Sequence, residues 1–260
     1  MYRLINQIQK NVILLIVFLA YGPVSLSASA DLYCKTKVVI FDCDGVLVDT
    51  EYLKFLAWQE ALASYMIDFS IEEYMPLVGH SSKNILAMIA WSKQLKLAEQ
   101  IIDLKNDKYK ALQKQGVQAI QPMADFARAL SENKERLELK LGLASSAPQE
   151  EIFINLQQIG LENAFDLIVS GSDDLEDYND EEGKNKPKPY IYIEAAKRLN
   201  VLPEFCLVFE DTAAGVEAAA GAGMTIVAVP NQFTINQDFS KASTMLHSFE
   251  ELPSIEIFQK

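Results

Sequence analysis

The sequence predicts an α/β fold: a doubly wound parallel sheet with a smaller all-helical cap inserted after the first strand. Three observations predict it. Short apolar segments typical of buried parallel strands recur along the chain. Helical patterns separate the later segments, which is typical of a parallel sheet covered by helices. A long stretch with helical patterns separates the first segment from the second.

The predicted strands are short, rich in Val, Ile or Leu, and end in polar or small residues. They are residues 38–42, 139–145, 167–170, 206–210 and 225–229. The clearest predicted helices are residues 148–159, 190–199 and 213–222. Strands and helices that alternate in this way form right-handed crossovers, and the ligands of such sheets bind at the carboxyl ends of the strands.

The stretch between the first two strands, from Tyr52 to about Glu138, has helical patterns that polar segments interrupt. A connection of this length is expected to be a domain of its own. We predict a helical cap at residues 53–121, with the α/β core divided between residues 36–52 and 122–260. Because the insertion follows the first strand, the cap should lie over the strand ends where the ligand binds.

The first 30 residues have the layout of a secretory signal. Arg3 and Lys10 precede an uncharged run at residues 12–20, and Gly22-Pro23 and then Ala28-Ser29-Ala30 follow it. The apolar run is shorter than the roughly 20 residues that a bilayer-spanning helix needs. We therefore expect an exported protein. The alternatives are an uncleaved anchor, or a cytoplasmic protein whose translation wrongly includes an upstream extension.

The formal net charge of −13 argues against nucleic acid or an anionic membrane as a partner, because like charges repel. It permits a small phosphorylated metabolite, since local cations can attract an anion into one pocket. The scattered Cys34, Cys43 and Cys206 do not suggest a disulfide framework or a zinc site. With His80 and His247 as the only histidines, a histidine triad is not expected. We expect a monomer.

Polar residues follow the predicted strands at the edge where a ligand would bind. They are Asp42 and Asp44 after the first strand, Ser145 and Ser146 at the end of the second, Glu210 and Asp211 at the end of the fourth, and Lys186 before a helix. Each alone could be a turn residue or a helix cap. Together, crowded carboxylates repel one another, and a hard divalent cation with oxygen ligands relieves the repulsion. This composition favours magnesium over zinc.

At residues 38–51 the sequence VVIFDCDGVLVDTE resembles the first signature of the haloacid dehalogenase superfamily. It is most similar to the branch that contains beta-phosphoglucomutase and many sugar-phosphate phosphatases. The resemblance spans roughly residues 36–232, and Lys186-Pro187 and the segment EDTAAG at residues 210–215 support it. It implies a Rossmann-like core with a helical cap, Mg²⁺ as cofactor, and phosphoryl transfer as the chemistry.

The resemblance implies that Asp42 is the nucleophile and forms an aspartyl-phosphate, which divides one difficult displacement into two easier ones. Asp44 would protonate the leaving oxygen and then activate the attacking water. Magnesium would be held by the Asp42 carboxylate, the Asp44 backbone carbonyl and Asp211, with Glu210 nearby or acting through water. Because dehalogenases of the superfamily lack the second aspartate, Asp44 argues against that activity.

The same resemblance implies that Ser145 and the amide groups around it, including that of Ser146, bind phosphoryl oxygens. Lys186 would neutralise charge on Asp42 and on the phosphate. Phosphoryl transfer depends on positioning and electrostatic stabilisation, which these residue types supply.

In the cap, residues 79–83, which include His80, resemble the substrate-specificity loop of the family. Lys105 lies in a stretch that carries, in beta-phosphoglucomutase, a lysine for the non-reacting phosphate. Either side chain could instead be an exposed residue without a function. Lys54 stands where the mutase has a histidine that helps to control proton transfer, and the loop lacks the arginine of the mutase. Both differences favour hydrolysis over isomerisation.

Three functions remain open at this point. The favoured one is a magnesium-dependent phosphatase of a small phosphorylated metabolite, in particular a sugar phosphate. The second is a beta-phosphoglucomutase-like phosphohexose mutase. The third is a non-catalytic ligand-binding protein on the same scaffold, which would be expected to have lost motif residues that this chain retains.

Overall fold

The structure is a computed structural model that describes residues 33–94, 96 and 98–259. The predicted leader, residues 1–30, lies outside this part of the chain. Within the described residues, no helix is both long enough and apolar enough to cross a membrane.

Eight strands form two sheets in the described part of the chain. In chain order they are β1 (Val38–Phe41), β2 (Val48–Asp49), β3 (Gln118–Ala119), β4 (Lys140–Ser145), β5 (Leu167–Ser170), β6 (Cys206–Glu210), β7 (Thr225–Ala228) and β8 (Thr244–Met245). The larger sheet is parallel, with the order β5-β4-β1-β6-β7-β8. The five predicted strands are all present, each within one residue of its predicted ends. Strand β8 was not predicted, because two residues are too few to form a recognisable apolar run.

The α-helices, in chain order, are α1 (Glu51–Ala63), α2 (Ile71–Tyr74), α3 (Ser82–Ser92), α4 (Gln100–Gln115), α5 (Gln121–Leu137), α6 (Gln149–Gln158), α7 (Tyr190–Leu199) and α8 (Ala213–Gly221). Short 3₁₀ turns occur at Met75–Leu77, Pro203–Phe205, Phe249–Glu251 and Ile255–Phe258. The helices predicted at residues 148–159, 190–199 and 213–222 correspond to α6, α7 and α8, so the doubly wound pattern is confirmed.

Strand β1 is buried on both faces because helices cover both sides of the larger sheet. Successive side chains of a strand point to opposite faces. Val39 and Phe41 therefore enter an apolar cluster formed with helices α5 and α6. Val38 and Ile40 enter a second cluster, which helices α7 and α8 complete on the other face. The carboxyl end of β1 is thus enclosed by packed side chains on both faces of the sheet.

The cap consists of helices α1, α2, α3 and α4, which bury a third apolar cluster between them. Phe55 and Trp58 of α1 pack there with Ile101 of α4, and Phe233 of the core joins them. Strands β2 and β3 form an antiparallel ribbon where the chain leaves the core and returns to it. Strand β3 is a two-residue strand inside the range predicted for the cap. The helical cap after the first strand is confirmed, while its bounds at residues 53–121 remain a prediction.

Candidate active site

A cavity of about 550 Å³ lies between the carboxyl ends of β1, β4 and β6 and the cap. The core contributes residues that directly follow these strands, and the cap contributes α1, the loop at residues 79–82 and α4. The catalytic and metal-binding residues predicted from the sequence line this cavity together. They are Asp42, Asp44, Ser145, Lys186, Glu210 and Asp211. The predicted substrate-binding residues Ser146, Lys54, Lys105 and His80 line it as well.

Lys186 lies between two carboxylates at the floor of the cavity. Its Nζ is 2.5 Å from Asp42 Oδ1 and 2.6 Å from Glu210 Oε1, and it donates a further hydrogen bond of 3.1 Å to the Ala144 carbonyl. All three charged side chains are buried. Burial opposes the ammonium form, but Asp42 and Glu210 outweigh it and raise the pKa of Lys186. The lysine is therefore a permanent cation beside the predicted nucleophile.

The pKa of Asp42 is raised to about 7, because burial disfavours its charge more strongly than Lys186 favours it. Glu210 and Asp44 add to this by repulsion. A carboxylate in such surroundings is a stronger base and nucleophile than an exposed one, provided that a further cation keeps it ionised.

Two glycines allow the acidic groups to approach the backbone closely. Gly45 has a positive φ of +83°, and a Cβ there would lie 2.0 Å from Asp211 Oδ2. A Cβ at Gly215 would lie 1.8 Å from Glu210 Oε1. Both contacts are far below any tolerated approach, so larger residues at these positions would displace the carboxylates. The glycines of the two sequence motifs are explained by this crowding.

The acidic residues of the floor fit a divalent metal ion. Asp42, Glu210 and Asp211 each offer a carboxylate oxygen, and these oxygens lie within 4.8 Å of one another. Asp211 accepts a hydrogen bond of 2.8 Å from Asn231 Nδ2 through Oδ2, while its buried Oδ1 has no hydrogen-bond partner among the described residues. Burial, together with Glu210 and Asp42, raises the pKa of Asp211. A cation with a preference for oxygen would satisfy the orphaned atom and relieve the repulsion.

Asp44 lies two residues after Asp42 and is held by three side chains. It accepts a hydrogen bond of 2.5 Å from Thr50 Oγ1 at Oδ1, and one of 3.5 Å from Ser145 Oγ at Oδ2. Lys54 Nζ is 3.6 Å from the same Oδ2. Ser145 Oγ also accepts from the Ala147 backbone N–H. The hydroxyl of Ser145 is thus close to the predicted acid–base group as well as to the predicted phosphate position.

Lys54 belongs to a second group of charged residues at the base of the cap. Its Nζ is 2.8 Å from Glu51 Oε1, and Glu51 Oε2 accepts a hydrogen bond of 2.9 Å from the Tyr74 hydroxyl. Burial opposes the charge of Lys54, but Asp44 and Glu51 raise its pKa overall. Lys54 therefore contacts the predicted general acid–base directly.

On the cap side, His80 is exposed at the cavity wall. Lys105 Nζ lies 5.3 Å from the centroid of the Tyr109 ring and 5.9 Å from that of Trp58. Burial, and then the charge of Lys54, lower the pKa of Lys105. The two positions are available to a substrate, but the structure leaves their roles as predictions.

Sequence reasoning missed several residues of the site: Glu51, Tyr74, Tyr109, Glu151, Tyr192 and Asn231. Glu51 had a recognisable signal, because it stands three residues before Lys54 and helical residues at that spacing are neighbours. Tyr109 had the same kind of signal, because it stands four residues after Lys105 in α4. The other four residues reach the site through tertiary contacts between distant segments, and no local pattern marks them.

Comparison with known proteins agrees with the family resemblance of the first motif. The family model described as haloacid dehalogenase-like hydrolase matches residues 39–229. The chain is 32% identical over 188 residues to a phosphorylated carbohydrates phosphatase of Thermotoga maritima, covering 72% of this chain and 82% of that protein. It is 28% identical to the fructose-1-phosphate phosphatase YqaB of Escherichia coli, covering 76% of this chain and 98% of that protein.

Among solved structures, a mutant of CbbY from Rhodobacter sphaeroides in complex with xylulose-(1,5)bisphosphate is similar to this chain with a TM-score of 0.72. The two are 26% identical, and the likeness covers 86% of this chain and 100% of that chain.

Proposed function

The chain belongs to the haloacid dehalogenase-like hydrolase family, as its first motif predicted, and from this premise we propose that it is a magnesium-dependent phosphatase. Its substrate would be a small phosphorylated metabolite, in particular a sugar phosphate. The names of the similar phosphatases from Thermotoga maritima and Escherichia coli support this substrate class.

The observation that carries the proposal is the setting of Asp42. Asp42 directly follows the central strand β1, and its carboxylate lines the cavity with Lys186 Nζ at 2.5 Å. An isolated carboxylate would repel a phosphate dianion. A neighbouring ammonium and a metal-binding group of acids remove that obstacle, and so make attack on phosphorus feasible.

Magnesium, held by Asp42, Asp211 and the Asp44 carbonyl with Glu210 nearby, would supply charge neutralisation of the phosphoryl group. In the first step a carboxylate oxygen of Asp42 attacks phosphorus, the bond from phosphorus to the alcohol oxygen breaks, and Asp44 gives that oxygen a proton. Ser145 and nearby amides bind the phosphoryl oxygens.

In the second step Asp44, now ionised, takes a proton from a water molecule, and the oxygen of that water attacks the phosphorus of the aspartyl-phosphate. The bond between phosphorus and Asp42 breaks, inorganic phosphate leaves, and the Asp42 carboxylate returns. Lys186 balances the negative charge on Asp42 throughout the cycle. The residues of this chain can thus complete both half-reactions without a further organic cofactor.

Hydrolysis is favoured over isomerisation by two features of the cap. Lys54 occupies the position of the mutase histidine, and residues 79–83 contain no arginine. We therefore propose that water, and not a reoriented sugar phosphate, receives the phosphoryl group. A bisphosphate-primed assay with glucose 1-phosphate checks this, because a mutase would interconvert the isomers.

We further propose that the protein is exported through its N-terminal leader and acts as a monomer, without nucleic acid or a stable membrane partner. N-terminal sequencing of the mature protein tests the leader, since a cleaved signal would place the new terminus after Ala30. Light scattering during size-exclusion chromatography tests the oligomeric state.

A phosphate-release screen over a panel of phosphorylated metabolites, with and without Mg²⁺, tests the function itself. We expect release only with the metal ion, and a loss of at least about 10⁴-fold in kcat for Asp42→Asn, because the nucleophile is removed. The variant keeps the shape of the side chain and should fold normally. Hydrolysis at the parental rate by Asp42→Asn, or full activity in chelator, would contradict the proposal.

A further inference from the structure

The cap side of the cavity contains a buried hydroxyl that the proposed reaction does not use. Tyr109 of α4 lines the cavity and is 2% exposed, yet its hydroxyl has no hydrogen-bond partner among the described residues. It interacts electrostatically with the Glu151 side chain, and this contact favours the charged form of that carboxyl. No hydrogen bond of good geometry joins the two side chains. A buried hydroxyl without a partner costs free energy, which a ligand that supplies a hydrogen bond would recover.

Glu151, in the first turn of α6, lines the same side of the cavity and is fixed in place by the cap. Its backbone carbonyl accepts a hydrogen bond of 3.0 Å from Gln113 Nε2, which also donates to Asn155 Oδ1 at 2.8 Å. Gln158 Nε2 in turn donates to the Gln113 carbonyl at 2.9 Å. Gln113 and Asn155 are buried. These bonds join α4 to α6, so the Glu151 side chain has a defined position relative to α4.

The lysines of the cavity leave little positive charge for a second phosphate. Of the four that line it, Lys186 and Lys54 each contact two carboxylates, and Lys110 Nζ lies 3.5 Å from Glu150 Oε2. Lys105 remains, beside the Tyr109 ring. No arginine among the described residues lines the cavity. A bound phosphate is held most strongly by several charged donors together, and an acidic group nearby opposes a second dianion.

We propose that Tyr109, Glu151 and Lys105 form a subsite for hydroxyl groups of an uncharged sugar or polyol, so that the cavity selects monophosphate esters over bisphosphates. The carboxyl oxygens of Glu151 accept hydrogen bonds from two hydroxyl groups, the Lys105 ammonium donates to a third oxygen, and the Tyr109 hydroxyl gains its missing partner. The inference rests on the proposed function in one respect: it takes the reacting phosphate to lie at Asp42.

Calorimetric binding to the full-chain Asp42→Asn variant with Mg²⁺ tests the subsite without turnover. The ligands are fructose 1-phosphate and fructose 1,6-bisphosphate. We expect the Kd of the monophosphate to be at least about tenfold lower than that of the bisphosphate, since a carboxylate opposite a second phosphate is a repulsive contact.

Adding Glu151→Gln keeps the shape of the side chain but removes its charge. The ratio of the bisphosphate Kd to the monophosphate Kd should then fall about tenfold. The matched control is Glu162→Gln, which removes the same charge from an exposed position outside the cavity and should leave the ratio unchanged. Tyr109→Phe provides an independent arm, and should weaken binding of fructose 1-phosphate about tenfold by removing one hydrogen bond.

Tighter binding of the bisphosphate, no binding of either ester, or a ratio that Glu151→Gln does not move would overturn the inference. Because the experiment measures binding, it tests the subsite independently of the proposed catalytic activity. If the parent chain binds selectively but releases no phosphate from any ester, the proposed function fails and the subsite stands. If the parent chain hydrolyses both esters with equal kcat/KM, and the Asp42→Asn variant binds both with equal Kd, the subsite proposal is wrong and the phosphatase proposal is retained.

Discussion

Two groups of the same four residue types, a tyrosine, a glutamate, a lysine and an aspartate, contribute side chains to the cavity. In the core, Tyr192 donates to Glu210, Glu210 pairs with Lys186, and Lys186 contacts Asp42. We call this the core relay.

At the base of the cap, Tyr74 donates to Glu51, Glu51 pairs with Lys54, and Lys54 contacts Asp44. We call this the cap relay. Each relay ends on one of the two aspartates of the first motif.

The relays differ in how firmly they hold their aspartate. In the core relay the last contact is 2.5 Å and the lysine side chain is 8% exposed. In the cap relay the last contact is 3.6 Å and the lysine is 22% exposed. All members of the core relay belong to the α/β core, whereas the cap relay joins cap helices to Asp44. The proposed nucleophile, Asp42, is therefore held by the sheet, and the proposed acid–base group, Asp44, partly by the position of the cap.

The largest effect is expected when the core relay loses its cation. Lys186→Met should lower kcat about 10²- to 10³-fold, because one preorganised charge is lost at the reacting centre. The variant should also lose about 3–5 kcal/mol of unfolding free energy, since Asp42 and Glu210 stay buried without their partner. Phosphate release and urea unfolding measure the two effects. The control is Lys188→Met, two residues away and paired outside the cavity with Glu182. Near-parental kcat in the folded Lys186→Met variant would contradict the conclusion that the core relay depends strongly on its lysine.

The cap relay should respond more weakly to the same change. Lys54→Met should lower kcat about tenfold, because Asp44 keeps its hydrogen bonds from Thr50 and Ser145 and loses a longer contact. Lys93→Met is a matched control in the cap, since Lys93 is equally exposed and pairs with Glu73 outside the cavity. A loss as large as that of Lys186→Met would show that the two relays are equivalent.

Mg²⁺ should stabilise the folded protein by binding Asp42 and its neighbouring acids, and the size of this stabilisation should depend on pH. The pKa of Asp42 is raised to about 7, above its unfolded value near 4. The metal-free folded state therefore binds this proton more tightly than the unfolded state does. Its stability falls as the pH rises between those two values.

Because Mg²⁺ binds the ionised carboxylates, the rise in Tm that it causes should be larger at pH 8 than at pH 5. Differential scanning fluorimetry measures this rise. Asp211→Asn should reduce it, and Lys54→Met should retain it. An equal rise at both pH values would contradict the assignment of the metal to these acids.

The smallest effects are expected from the tyrosines. Tyr74→Phe removes a donor from buried Glu51 and should cost about 1–2 kcal/mol of unfolding free energy. Tyr192→Phe should cost less, about 1 kcal/mol, because Glu210 retains hydrogen bonds from the backbone N–H and the hydroxyl of Thr212. Urea unfolding of both variants checks the order. The reverse order would show that the core relay depends more on its tyrosine than on its other donors.

The core relay was more predictable than the cap relay for a physical reason. Asp42, Lys186 and Glu210 follow or precede regular elements of a parallel sheet, and the carboxyl ends of adjacent strands must meet at one edge. Tyr192 was not predicted, because its hydroxyl reaches Glu210 across 18 residues of chain and its position in α7 looks like ordinary core. Tyr74 was missed likewise, because 23 residues separate it from Glu51.

From the sequence alone we predicted the five longer strands of the main sheet in chain order, three of its helices, the insertion of a helical cap after the first strand, and the set of acids and lysine that meet at the strand ends. These follow from local periodicity and from motifs whose residues are close in sequence. The partner of each charged group could be learned only from the three-dimensional contacts. In the folded protein Lys54 lies against Asp44, the Tyr109 hydroxyl has no hydrogen-bond partner among the described residues, and Glu151 lines the cavity beside the cap. Such contacts depend on how helices far apart in the chain pack against each other, and a local pattern carries no information about that packing.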